Sequence, residues 1–334
     1  MPESSLKERI SQLNARRLAR QPHREFRETR LLTVAETEEF ESDPVNAAKT
    51  LSSKPRLIGY SRSADRTFFV IPELRIGLDA GEVRGSTLEH VFVTHGHSDH
   101  SLDVHWFAVC REEGTDVYVP KAAEAVTRQF ITSTMELNLC ERVTEEHLRG
   151  LRLHGVSAGE RFEGIGRAGD WSAVVFDCCH TVPCVGYAFS QDRKKRRPEY
   201  RGLPAQRMKE LRAQGVDFEH VVREPRFVYV GDTSIEVFAV NPWLFEYPVI
   251  IVECTFLERV KGGVDLSARV GHIFWEGSLQ SVVESHPEVM FVLIHFSLRY
   301  SVEEVEEFFA KQRHLKNFRL HLGSMSDLGQ KSFA

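Results

Sequence analysis

In the stretch VFVTHGHSDHSLD (Val91–Asp103), an apolar, strand-like run gives way to three histidines and an aspartate within six residues. His95 and His97 are two apart, so extended backbone turns both to one side. Asp99 and His100 follow where the chain would turn into a helix, and both can fold back toward the same point. Packing four such groups together is costly unless a cation holds them. Neutral imidazole nitrogens and carboxylate oxygens are the donors that zinc takes. Chance clustering among 15 histidines is the alternative, and the spacing argues against it.

Other apolar runs end in the same way. EHVFVT ends at His95, SAVVFDCC at His180, RFVYVG at Asp232, YPVIIV at Glu253 and VMFVLI at His295. Ligand and catalytic groups gather at strand ends held by a rigid scaffold, so a single convergent site is expected. His95, His97 and His180 can make one metal position. Asp99, His100 and His295 can make a second, and Asp232 can bridge the two. Two metals about 3.5–4 Å apart clamp the attacking and leaving oxygens of a displacement. A bridging water would then lose its proton near neutral pH, and Asp99 could both bind metal and orient the resulting nucleophile. Taken singly, His180 could be a core histidine, Asp232 in GDTS a turn residue and Glu253 a surface ion-pair partner. His90, His105, His147, His154, His286, His314 and His321 lack this context and read as surface or ordinary structural histidines.

The composition is that of a globular chain: 334 residues, 42% hydrophobic, 27% charged and a net charge of −5. No apolar run reaches the roughly 18 residues of a membrane span. The start, MPESSLKERISQLNARR, has no apolar signal-peptide core. The six cysteines form no paired framework, which suits reduced thiols in an intracellular protein. The expected compartment is the cytoplasm, with nucleus or organelle as alternatives. Residues 1–55 read as a partly helical extension. Ser5 and Glu8 have capping-box spacing, and Leu6, Ile10, Leu13 and Leu18 form a stripe. From residue 56 to 334, strands alternate with helix-like segments at about 100–112 and 120–135, WEGSLQSVVESH and SVEEVEEFFAKQ. This pattern predicts an α/β fold with helices covering sheets. A basic insert at about 191–220 contains Arg193, Lys194, Lys195, Arg196 and Arg197. It lies between two ligand strands and is expected to emerge near the site. It reads either as a solvated loop or as an arm for RNA phosphates.

THGHSDH resembles the HxHxDH motif of the metallo-β-lactamase fold. DCCHTVPCVGYAFS, YVGDTS, VECTFLE, VGHIFWE and IHFSLRY resemble, in matching order, the further motifs of the ribonuclease Z branch, tRNA 3′-processing endonucleases. EYRGLPAQRMKELRAQGVDF resembles the short arm of the plant-type members. The similarity runs from about Arg56 to Phe309. The family's Gly-Thr…Pro…Arg-Asn segment is replaced by GYSRSADRTFFVIP, and residues 1–55 have no counterpart. The resemblance implies a four-layer αββα sandwich with two Zn2+ ions per chain, or Mn2+ as the alternative. It implies a general acid, His272, oriented by Glu253, with Asp99 as the third catalytic residue. Its substrate would be precursor tRNA, cut by metal-hydroxide attack to leave a 3′-hydroxyl on the tRNA and a 5′-phosphate on the trailer. It also implies a homodimer in which one subunit's arm grips tRNA cut by the other, with no membrane partner. Arg299 and Tyr300 are candidates for phosphate contact near the cut. A small-molecule phosphodiesterase on the same fold and an inactive RNA-binding relative are the alternatives.

Overall fold

Strands buried on both faces need apolar runs without alternation. VIIVE (Val249–Glu253) and MFVLI (Met290–Ile294) are such runs, and every residue in them is buried. Their side chains divide between two cores. Met290, Val292 and Ile294 face one; Phe291 and Leu293 face the other. The computed structural model describes residues 24–43, 51, 54–84, 87–108, 113–148, 150–258 and 271–325.

Among the described residues, two seven-stranded sheets stack face to face. The first runs in chain order through β2 (Arg27–Arg30), β3 (Arg56–Arg62), β4 (Arg66–Ile71), β5 (Ile76–Leu78), β6 (His90–Phe92), β7 (Thr115–Pro120) and β8 (Leu151–Val156). The second comprises β9 (Arg161–Ile165), β10 (Trp171–Asp177), β11 (Val185–Arg196), β12 (Glu219–Tyr229), β13 (Val249–Glu253), β14 (Met290–Ile294) and β15 (Phe318–Leu320). One core lies between the sheets, with Phe69, Phe92, Tyr187 and Tyr229 at its centre. A second packs the second sheet against helical segments holding Trp275, Val283 and Phe309. A third packs the first sheet against Phe107, Ile131 and Met135. The result is the αββα layering expected from the sequence.

Direction decides where the site forms. β12, β13 and β14 are mutually parallel, and β10 runs with them because β11 lies antiparallel between β10 and β12. Their C-terminal ends therefore share one edge.

Three segments differ from the sequence reading. Part of the stretch read as an extension belongs to the fold. β2 pairs with β3, and β1 (Arg24–Glu25) pairs with β16 (Ser324–Met325). Thr33 and Glu36 form a capping box for the helix Val34–Ser42. Arg24 forks onto Asp65 at 2.9 and 2.7 Å. An edge strand reading RETR lacks the apolar alternation that marks a strand. The Ser5–Leu18 stripe lies outside the described residues. The helix read at about 100–112 is a single turn, Ser98–Ser101, followed by a 3-10 segment, Val104–Ala108.

The basic insert is the third difference. It does not emerge near the site. β11 starts at Val185, beside the ligand edge, and runs twelve residues outward to Arg196. At about 3.4 Å per residue, that is roughly 37 Å. The outer half of β11 pairs with the first half of β12, Arg196 opposite Glu219, as a two-stranded ribbon. The helix Ala205–Ala213 tips the ribbon. Tyr200 meets the buried Phe218 there, and Arg212 lies over the same ring.

Candidate metal centre

The first sheet supplies its donors through a kink. Asp79 follows β5 with φ +59, and its side chain is fully buried. The carboxylate accepts from Thr94 N at 2.7 Å, Thr94 Oγ1 at 2.9 Å and Tyr229 OH at 2.5 Å. These bonds replace ladder bonds, so the chain leaves the sheet after Phe92 and carries His95 and His97 in extended loop. His97 caps the turn that holds Asp99 and His100. Gly81 lets this turn approach: a Cβ there would sit 1.8 Å from the Asp99 carbonyl oxygen.

The second sheet delivers His180, Asp232, Glu253 and His295 at its shared edge. His97 Nδ1 lies 3.0 Å from His95 Nε2 and 3.2 Å from His180 Nε2. His100 Nε2 lies 3.2 Å from His295 Nε2 and 3.3 Å from Asp232 Oδ2. Asp232 also stands 3.8 Å from His95 Nε2 and 3.5 Å from His295 Nδ1. Asp99 Oδ2 is 3.5 Å from His295 Nε2. Donor atoms of His95, His97, His180 and Asp232 fall within 4.8 Å of one another, as do those of Asp99, His100 and His295. Asp232 lies between the two groups. His295 holds φ +63, a strained backbone for a residue with a side chain.

This donor set fits divalent cations. His180 Nδ1 donates to the Gly271 carbonyl at 2.8 Å, and His100 Nδ1 donates to Asp79 at 2.7 Å. In the neutral rings each Nε2 is then a bare lone pair, aimed at other nitrogens and carboxylate oxygens. Outer hydrogen bonds of this kind fix metal-ligating histidines. Burial pushes His95 well below its usual range and lowers His180. Burial opposes charge on His100 too, but Asp232 and Asp79 outweigh it and raise His100 well above the ordinary value. Burial would raise Asp232 and Asp99. His100 and His295 instead hold Asp232 far down, and His295 with His100 lowers Asp99. The carboxylates demand positive charge among the imidazoles.

Beside this cluster stands a hydrogen-bonded carboxylate–imidazole pair. Glu253 is fully buried and accepts from Thr233 N at 2.9 Å, from Thr255 N and Ile273 N at 3.3 Å, and from the Thr255 hydroxyl. His272 Nδ1 donates to Glu253 Oε1 at 2.8 Å. Burial would lower His272, but the Glu253 charge and hydrogen bond dominate and lift it to about 9. With Nδ1 engaged, Nε2 is the atom left for proton exchange.

The structure thus brings together His95, His97, Asp99, His100, His180, Asp232, Glu253, His272 and His295. Arg299 stacks 5.0 Å from the Phe256 ring centre, and Phe256 presents its ring edge-on to His272. Arg193, Lys194, Lys195 and Arg196 lie on the outer part of β11, and Arg197 follows it, so none of these five joins the cluster. Lys195 pairs with Glu224. Sequence reasoning missed Asp79 and Arg62. The signal for Asp79 was present: GLDAG is one more strand that ends in a carboxylate. Arg62 is buried and donates to the carbonyls of Phe296, Ser297 and Tyr300, binding the loop after His295. Nothing local marks it.

Residues 74–296 match the model of the beta-lactamase superfamily domain. The chain belongs to the beta-lactamase superfamily. Within it the chain is ribonuclease Z-like. A tRNase Z of Arabidopsis thaliana is 27% identical over 255 residues, covering 75% of this chain and 88% of the relative. A chloroplastic tRNase Z of the same plant is 24% identical over 257 residues, 75% of this chain and 69% of that one. The solved short form of human tRNase Z overlaps 79% of this chain and 96% of its own at 15% identity and a TM-score of 0.48. The superfamily implies a divalent metal, and the histidine–aspartate groups are where this chain could hold it. No helix among the described residues is long and apolar enough to cross a membrane.

Proposed function

We propose that this chain is a metal-dependent endoribonuclease that removes the 3′ trailer from precursor tRNA. The observation that carries the reading is the Glu253–His272 pair. A ring lifted to about 9 stands with its centroid 5.1 Å from that of His180. A lone metal centre activates water; this pair adds the acid that a departing 3′-oxygen needs. The names of the plant relatives point to tRNA as the substrate.

His95, His97 and His180 would hold one ion and Asp99, His100 and His295 the second, with Asp232 shared. Zinc suits this imidazole-rich set. Bound, the ions polarise phosphate oxygens and acidify water. Asp99, kept ionised and accepting from Ala64 N at 2.9 Å, orients the attacking oxygen. His272 protonates the leaving 3′-oxygen through Nε2, and Glu253 stabilises the imidazolium before that transfer. The tRNA leaves with a 3′-hydroxyl and the trailer with a 5′-phosphate. Arg299 is placed to meet a phosphate near the cut.

The arm binds RNA phosphates away from the cut. Its projection of roughly 37 Å from the ligand edge supports a homodimer in which each arm serves the partner's site. The nuclease domain expected over residues 56–334 would then extend back to include the strand β2 and the helix Val34–Ser42.

The deciding experiment incubates zinc-loaded protein with trailer-bearing precursor tRNA and, separately, with bis(p-nitrophenyl) phosphate. Cleavage of the tRNA at the trailer junction with high preference is the expected result. Hydrolysis of the small diester alone would make the chain a small-molecule phosphodiesterase. RNA binding without any cleavage would make it an inactive relative.

A further inference from the structure

We infer that Thr255 is a positioning residue whose single hydroxyl ties the proton-donating pair to the metal-ligand set. The inference rests on the roles proposed above for Glu253, His272 and His295. Thr255 is buried, two residues beyond the carboxylate that ends β13. Its Oγ1 touches four groups: Glu253 Oε2 in the shortest contact, His295 Nδ1 at 3.1 Å, the His295 carbonyl at 3.2 Å and His272 Nδ1 at 3.4 Å.

A hydroxyl has one proton to give and two lone pairs to receive with. The nearest acceptor is the carboxylate oxygen Glu253 Oε2, so the proton goes there. The lone pairs then face His295 Nδ1, which must carry hydrogen to satisfy them. That tautomer leaves His295 Nε2 bare, and Nε2 is the atom that faces His100 Nε2 and Asp99 Oδ2. His272 gives its own Nδ1 proton to Glu253 Oε1 at the shorter distance of 2.8 Å. One hydroxyl therefore sets the ligand form of His295 and completes the shell of the carboxylate that orients His272.

The backbone supports the same assignment. His295 sits at φ +63, a conformation that persists only where its surroundings over-determine it. Thr255 grips it from both sides. The hydroxyl accepts from the ring of His295, and the Thr255 carbonyl accepts from Ser297 N at 3.0 Å. Asp232 Oδ1, at 3.5 Å, is the more distant partner for the same Nδ1.

Thr255→Val keeps the shape and removes the hydroxyl. In the full chain, competition with a chromophoric zinc chelator should show one zinc bound about 10–100-fold more weakly, the usual cost of losing an outer-shell partner. Thr255→Ser should restore the affinity. At saturating zinc, T255V should also lower kcat on precursor tRNA with little change in KM, and serine should rescue that too. Wild-type zinc affinity in T255V would overturn the inference. So would a serine variant as impaired as valine, because methyl packing would then be the cause. If T255V does not fold, Thr255→Ala and Thr255→Ser differ only in the hydroxyl, and equal zinc affinities in that pair would overturn it. Absence of cleavage by the wild type would overturn the functional reading instead, and the zinc titrations alone would then decide on Thr255.

Discussion

His180 and His272 stand with ring centroids 5.1 Å apart, yet their surroundings drive them in opposite directions. Burial lowers His180, while the Glu253 carboxylate outweighs burial at His272 and lifts it to about 9. His272→Ala should therefore lose about 10²–10⁴ in rate, while elemental analysis still finds the wild-type zinc content. Sign follows from protonation. The acid form prevails below about 9, so the rate should fall as pH rises through that value. Glu253→Gln should bring the alkaline limb down toward the ordinary histidine range, read from a pH–rate profile. Asp79→Asn weakens the acceptor that fixes His100, so zinc affinity should fall by about 10–100-fold, measured by chelator competition. The convergence of His95, His97, Asp99 and His100 was legible because a few consecutive residues carry it. Asp79 was legible only as one more strand-end carboxylate, not as the partner of His100, and Thr255 was not legible at all. Asp79 gains its partner across 21 residues through a positive-φ kink, and Thr255 reaches His295 across 40. Spacing in the sequence reports neither kind of neighbour.

Among elements, the buried strands announced themselves, since VIIVE and MFVLI are apolar on both faces. The edge strand β2 did not, because RETR spends its residues on charge. What secures it is a histidine at the far end of the chain. His321 Nδ1 meets the Thr29 hydroxyl at 2.9 Å, and its Nε2 donates to the Gly59 carbonyl at 3.0 Å. Burial lowers His321 to about 4. The unfolded chain takes up this proton below about 6.5 and the folded chain resists it, so stability drops as pH falls from about 6.5 toward 4. The loss should be on the order of 3 kcal/mol. Urea unfolding across that window should show it, and His321→Gln should flatten the slope. The arm was legible as a charge run but not as a position. Its basic residues follow a ligand strand in sequence, and only the twelve-residue length and direction of β11 reveal how far away they lie. Replacing Arg193, Lys194, Lys195, Arg196 and Arg197 with glutamine should weaken precursor-tRNA binding and flatten its salt dependence. Hydrolysis of bis(p-nitrophenyl) phosphate should stay unchanged. Equal losses on both substrates would assign the segment to folding.

At the scale of the molecule, an arm that points away from its own ligand edge makes a claim about mixtures. An Asp232→Ala chain keeps its arm and lacks a bridging donor. The arm-neutralised chain has the reverse defect. Combined after mild dissociation, the two should cleave precursor tRNA faster than either does alone. Failure to complement, together with a monomeric mass by sedimentation, would remove the dimer. The layered architecture was legible because strand and helix periods alternate. The pairing of Arg24–Glu25 with Ser324–Met325 was not, because two-residue ladders leave no period to read. The two sheets also divide the chain at a single point. β8 closes the first at Val156, and β9 opens the second at Arg161. His95, His97, Asp99 and His100 lie before this junction; His180, Asp232 and His295 lie after it. A protease nick at Ser157–Glu160 would thus yield two fragments, each holding an incomplete set of donors. Joined by their common core and by the β1–β16 pairing they would go on working, and a chelator would silence the nicked pair without parting it.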